Sequence, residues 1–305
     1  MDLNQEIRKL FALSTNNSAI KIDCLPSPYE AWVIRLGNEY GVGIPIDEEM
    51  KISERFSGAR IWTAPMFIQN QSLNLLMLTS QDNELRMEFS AICSQFVDPG
   101  KNGEDRKRLL ESPFSWWEKW RNLLGNSVTN KSAHGVLGEL ITLRYLSDKG
   151  LNPIWTGGGK TGVHDIATET MEYEVKSTTM RYESIISVSG QFQLQSKSSK
   201  SLSLIFCRFE SSPMGESIDD IVIQLANKGF DMKSLEDGLA RYGFEAGCSA
   251  RLETYKLLEM REYIVDNAFP RITMQSFVGG KLPEAVIQLT YRLDLTGIPY
   301  KSWID

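Results

Sequence analysis

Four acid-x-Lys triplets occur in the chain, at Glu49/Lys51, Asp105/Lys107, Glu174/Lys176 and Asp231/Lys233. The third sits in "MEYEVKST", residues 171 to 178. Read as a strand, this segment sends Met171, Tyr173 and Val175 to one face and Glu172, Glu174 and Lys176 to the other. Just before it, "HDIATET" holds Asp165, and a short turn at residues 168–170 allows a hairpin that brings Asp165 alongside Glu174. Upstream, "SAHGVLGELITLRYLSDKG" has a helical apolar stripe of Val136, Leu140, Leu143 and Leu146, with Ser132 placed to cap its start. Glu139 falls in that stripe, and a carboxylate facing a core needs a partner because burying it alone is costly. Three carboxylates and a lysine therefore converge. Hard divalent cations take carboxylate and carbonyl oxygens held rigidly. A neighbouring ammonium can hold water and offset charge growing on a phosphate, so the set suits in-line attack on a phosphodiester.

Other motifs point elsewhere and lack their context. "TGGGKTG", residues 156 to 162, matches G-x-G-x-x-G, but no helical period follows to receive a pyrophosphate. A hairpin loop is the better reading. The four cysteines form no C-x-x-C pair and there are two histidines, which argues against a Cys/His zinc site and leaves hard oxygen ligands. His164 reads as structural, with a phosphate contact as the alternative. Gln191, Gln193 and Gln195 alternate with Phe192 and Leu194 and line either a groove for DNA or a plain polar face. The tryptophans at 116, 117 and 120 lie in a segment with helical spacing, which favours an anchoring role over base stacking.

Glu139, then Asp165, then Glu174-Val175-Lys176 resembles the PD-(D/E)XK nuclease superfamily, whose fold is restriction-endonuclease-like. "GELITL", "EVKST" and the later "FPRIT" are similar to a bacterial family of PD-(D/E)XK motif proteins from phage-defence loci. The resemblance is strongest over residues 130 to 210, and His164 stands where the motif's proline is named. It implies that Asp165, Glu174 and the Val175 carbonyl ligate Mg²⁺, with Mn²⁺ as a substitute. Glu139 would support the metal, and Lys176 would position or activate water. The implied activity is endonucleolytic cleavage, of DNA before RNA, in a restriction or phage-defence setting with an ATPase or other subunits as partners. A non-catalytic nuclease-fold subunit that binds DNA or partner proteins is the rival reading.

The elements that must position these residues follow from the rest of the chain. With 305 residues, 42% apolar and 24% charged, it is long enough for two or three domains. The expected fold class is α/β in the α+β sense, a mixed sheet flanked by helices. Three regions are expected: a β-rich module over 1–110, the nuclease core over 111–215 and an α/β region over 216–305. Strands are expected over "LRMEFSAICSQF" and "RITMQSF" among others, and helices over "SIDDIVIQLANKG" and "DMKSLEDGLARYGF". The net charge of −6 argues against coating nucleic acid by bulk electrostatics. Residues 118 to 208 nevertheless carry +3, leaving −9 elsewhere. Lys160, Arg181, Lys197 and Lys200 are the expected phosphate contacts there, with a second copy of the chain or a partner supplying more. No signal peptide or membrane-spanning run is expected, and the scattered cysteines suit the cytoplasm.

Overall fold

The structure, a computed structural model, describes every residue except 1, 48–49, 57, 69, 83, 125–130, 158–163, 191–192, 196–198, 281–284, 287 and 305. Two compact units emerge: Met1–Val128 with Ala246–Ser249, and Thr129–Glu245 with Ala250–Asp305. The fold is α+β. No described helix is long and apolar enough to cross a membrane.

In the first unit, helix α1 (Leu3–Leu13) precedes strands β1 (Ser18–Lys21), β2 (Trp32–Leu36), β3 (Glu39–Pro45), β4 (Ser53–Phe56), β5 (Ala59–Ile68) and β6 (Gln71–Ser80). They form an antiparallel sheet in the order β1-β2-β3-β6-β5-β4. Helices α2 (Arg86–Val97), α3 (Glu104–Glu111) and α4 (Pro113–Leu124) follow. The expected strand over residues 85–96 is thus α2. Phe89, Cys93 and Phe96 recur at helical spacing and bury together with Ile7 and Phe11 of α1. Trp117 is buried in the same core, and Trp116 packs edge-on against Phe96, so both rings pack within the first unit.

The second unit begins with helix α5 (Ala133–Asp148), followed by strands β7 (Ile154–Trp155), β8 (Ile166–Ala167), β9 (Met171–Thr178), β10 (Ile185–Val188) and β11 (Ser201–Glu216). Helices α6 (Ile218–Asn227) and α7 (Met232–Tyr242) and strands β12 (Tyr255–Ile264), β13 (Tyr291–Asp294) and β14 (Lys301–Ser302) complete it. Its mixed sheet runs β14-β12-β11-β9-β8-β7, with β9 and β11 parallel and the other neighbours antiparallel; β10 and β13 pair separately. Strands β12 and β14, expected in a third region, extend the sheet that holds β9, so the expected three-part division gives way to two units. The strand expected in "RITMQSF" is absent, and residues 274–276 form a single tight helical turn.

Both faces of this sheet are covered. Tyr173 and Val175 of β9 join Ile205 and Cys207 of β11 in a core closed by α5, α6 and α7. On the opposite face Leu204 and Phe206, the register partners of Glu174 and Lys176, pack with Ile186 and Val188 of β10. Helix α5 is buried nearly all round, as a helix in the middle of a core must be. The Ser132 Oγ accepts from the Gly135 amide at 3.2 Å and caps it. Asp231 caps α7 in the same way, and Gly243 ends it in the left-handed region at φ 90°.

Gly238 lets α7 approach Trp155. A Cβ at this position meets the indole at 2.5 Å. Gly238→Ala should therefore displace the ring and cost about 1–3 kcal/mol, the usual range for overpacking. Chemical unfolding measures this; an unchanged midpoint would show that the helix has room to spare.

Candidate active site

The hairpin β8–β9 sets the centre. Ile166 pairs with Tyr173 and Ala167 with Glu172, so Asp165 falls opposite Glu174 one step further along. Because β8 is only two residues long, β9 runs past its neighbour here. The Asp165 carboxylate takes over the missing partner: its Oδ2 accepts from the Val175 amide at 2.7 Å. Its Oδ1 lies 3.3 Å from the Lys131 ammonium.

Lys131 also pairs with Glu139 Oε1. Glu139 is completely buried on α5. Its other oxygen accepts from the Trp155 indole at 2.6 Å, and the Tyr242 hydroxyl stands 3.3 Å from both. The Lys131 ammonium lies 5.4 Å from the Tyr242 ring centroid, a cation–π approach. On the opposite face of β9, Glu174 is 3% exposed and its Oε1 is 2.9 Å from Lys176. Lys176 donates also to Gln193 Oε1 at 3.1 Å, and the Ser189 amide donates to that same oxygen at 2.8 Å. Carboxylates thus come from both faces of the sheet and meet at Asp165.

The electrostatics show how tight this grouping is. Burial and the negative charge of Asp165 raise Glu139 to about 8, even though Lys131 and Trp155 pull the other way. Burial and Asp165 raise Glu174 to about 7, against the pull of Lys176 and Lys131. Burial alone would lower the Lys131 ammonium, but Asp165 and Glu139 outweigh it and hold its pKa above the ordinary value. Tyr242 is raised by burial and by Glu139. Once Glu139 and Glu174 have given up their protons, three carboxylates against two ammoniums leave a negative surplus. That surplus and the all-oxygen donor set fit a hard divalent cation. Among the described residues, no three His, Cys, Asp or Glu side chains already stand together as a metal-holding group; the lysines are interleaved with the carboxylates.

Glu139, Asp165, Glu174 and Lys176 accordingly lie in one neighbourhood, Asp165 and Glu139 linked through Lys131, Glu174 paired with Lys176, and the Val175 amide on Asp165. Arg181 lies on an exposed loop just past β9. Lys200 is elsewhere: its ammonium binds the Thr168 carbonyl beside the start of β9. Five residues of strand rise, about 16 Å, separate that end from Lys176. Lys160 and Lys197 lie outside the described residues, as do Gln191 and Phe192. His164 is buried with Nδ1 3.0 Å from Glu172, a pairing that supports its structural reading and gives Glu172 a partner.

Sequence reasoning misses Lys131, Trp155 and Tyr242. Only Lys131 carries a signal: a cation directly before a helix N-cap opposes the helix dipole and calls for a nearby anion. Tyr242 is 103 residues from Glu139 and carries none.

Over residues 47–296 the chain matches the family model described as "Putative PD-(D/E)XK family member, (DUF4420)". The chain belongs to this family, and its fold class is nuclease-like. No curated protein and no solved structure matches it.

Lys131→Ala removes the cation shared by two carboxylates. Breaking a buried pair costs about 3–5 kcal/mol. A carboxyl raised in the folded state binds a proton that the unfolded chain has lost, so stability falls as pH rises from about 4.5 to the raised values of about 7 and about 8. The substitution should therefore lower the melting temperature more at pH 8 than at pH 5.5. An equal loss at both pH values would contradict this electrostatic account.

Proposed function

We propose that this protein is a metal-dependent endonuclease that hydrolyses phosphodiester bonds of DNA. The observation that carries the reading is the placing of Asp165 on the Val175 amide between buried Glu139 and buried Glu174, with Lys176 paired to Glu174, in a chain of a PD-(D/E)XK family. Asp165 and Glu174, with the Val175 carbonyl and support from Glu139, would hold Mg²⁺ or Mn²⁺. When bound, the ion supplies Lewis-acid stabilisation of the phosphate's negative charge.

The chain's own residues do the rest. Two of the three N–H groups of Lys176 point to Glu174 and Gln193, which fix the ammonium and leave a third donor for the attacking water. As the water oxygen bonds to phosphorus and the bond to the leaving oxygen breaks, the proton lost by the water passes through solvent to the leaving oxygen, and this fixed charge faces the growing negative charge. Lys131, Trp155 and Tyr242 hold Glu139 in one orientation. Arg181, exposed on the loop that follows β9, would contact a backbone phosphate. With a net charge of −6 the isolated chain binds DNA weakly and with steep salt dependence. A second copy or a partner subunit, such as an ATPase in a phage-defence system, would add phosphate contacts.

Incubating the protein with plasmid DNA at low salt, with and without Mg²⁺ or Mn²⁺, tests the proposal. Metal-dependent nicking or linearisation is expected. Lys176→Ala should reduce the rate by about 10²–10³, by analogy with the loss of one oxyanion donor. Full activity in a folded Lys176→Ala protein overturns the assigned role, and a wild-type protein inert with both metals overturns the activity.

A further inference from the structure

The loop that leaves β9 is built to present an aromatic ring. Arg208 of β11 is buried, yet it spends its guanidinium on this loop. It donates to the Met180 carbonyl, to the Glu183 carbonyl at 2.9 Å and to the Ser184 hydroxyl at 3.0 Å. Its Nε lies 3.1 Å from Glu259, which also pairs with Arg261 at 2.6 Å. Ser184 is itself buried, and its carbonyl accepts from the Leu295 amide at 2.9 Å. The loop backbone is therefore fastened before and after residues 181 and 182.

The side chains between those fastenings point outward. Tyr182 is 86% exposed, more than any other tyrosine among the described residues, and Arg181 stands 5.9 Å from its ring centroid. Holding a large apolar ring in water on an anchored loop gains nothing for the core. The loop starts directly after Thr178, at the end of the strand that carries Lys176. Six residues of chain place Tyr182 within about 20 Å of Lys176 even when fully extended.

We propose that Tyr182 is a stacking platform for an unpaired nucleobase of the strand that is cut. The inference rests on the nucleic-acid reading of the site above and adds a substrate class to it: single-stranded or locally opened nucleic acid. A ring and a guanidinium on adjacent residues match the π-face and the phosphate of one nucleotide. The ring is flanked by Arg181 and Glu183, with Met180 as its one apolar sequence neighbour, which is a poor centre for an apolar protein interface. Base–aromatic stacking tolerates every sequence because every base offers a π-face.

The test uses the whole protein and a 12-nucleotide single strand bearing 2-aminopurine, alongside a duplex of the same length. Wild type should quench the 2-aminopurine and prefer the single strand. Tyr182→Ala should weaken single-strand binding about tenfold and abolish the quenching, with the melting temperature unchanged because the side chain is exposed. Tyr182→Trp should retain both. If Tyr182→Ala binds and quenches like wild type, the platform is wrong whether or not the protein cleaves, and the ring serves a protein partner instead. If quenching depends on Tyr182 but plasmid is never cut, the nuclease reading fails and the platform stands. A wild type that binds neither oligonucleotide overturns the platform.

Discussion

Three carboxylates share a site from which water is largely excluded, and two ammoniums hold them there. Glu139 and Glu174 are buried, and Asp165 sits between them. Charges in such a place survive only when paired and hydrogen-bonded. Several elements of the second unit supply part of that pairing. The Val175 amide meets Asp165, Trp155 and Tyr242 meet Glu139, and Gln193 steadies Lys176 beside Glu174. A bound cation would take the place of the protons that Glu139 and Glu174 hold and would balance the charge left when they ionise.

The geometry follows from two strands of unequal length. Strand β8 begins only at Ile166, the partner of Tyr173, while β9 continues to Thr178. Past that point β9 has an unpaired edge, and Asp165 fills it with a carboxylate rather than a backbone carbonyl. Alternation along β9 then sends Glu174 and Lys176 to the face covered by β10, while Val175 anchors the strand against α5. The same alternation that makes β9 a core strand places its two charged residues at the site. Gly238 adds the close approach of α7 that sets Trp155 against Glu139.

Much of this is legible in sequence because it is local. The period-2 pattern of "MEYEVKST", the short turn before it and the apolar stripe around Glu139 are all visible within windows of a few residues. Helix α2 was hidden because Leu85, Met87 and Phe89 alternate as a strand does, while the deciding contacts of Phe89, Cys93 and Phe96 lie on α1 and the first sheet. The joining of β12 and β14 to the sheet of β9 was hidden because register between partners 39 to 61 residues apart leaves no local mark. For the same reason Tyr242 carries no sign of its bond to Glu139, and Lys200, close to the motif in sequence, sits at the wrong end of β9. Lys131 alone among the missed residues announces itself, as a cation at the start of a helix.

The central claim is that this carboxylate cluster binds a divalent cation for catalysis. Crystals of the protein grown with Mn²⁺ and measured at a wavelength where manganese scatters anomalously test it most directly. The account predicts an anomalous peak within about 2.0–2.6 Å of oxygens from both Asp165 and Glu174, with Lys176 beside it. Saturating Mn²⁺ with no peak there, and Asp165 still bound only to Lys131 and the Val175 amide, would contradict it.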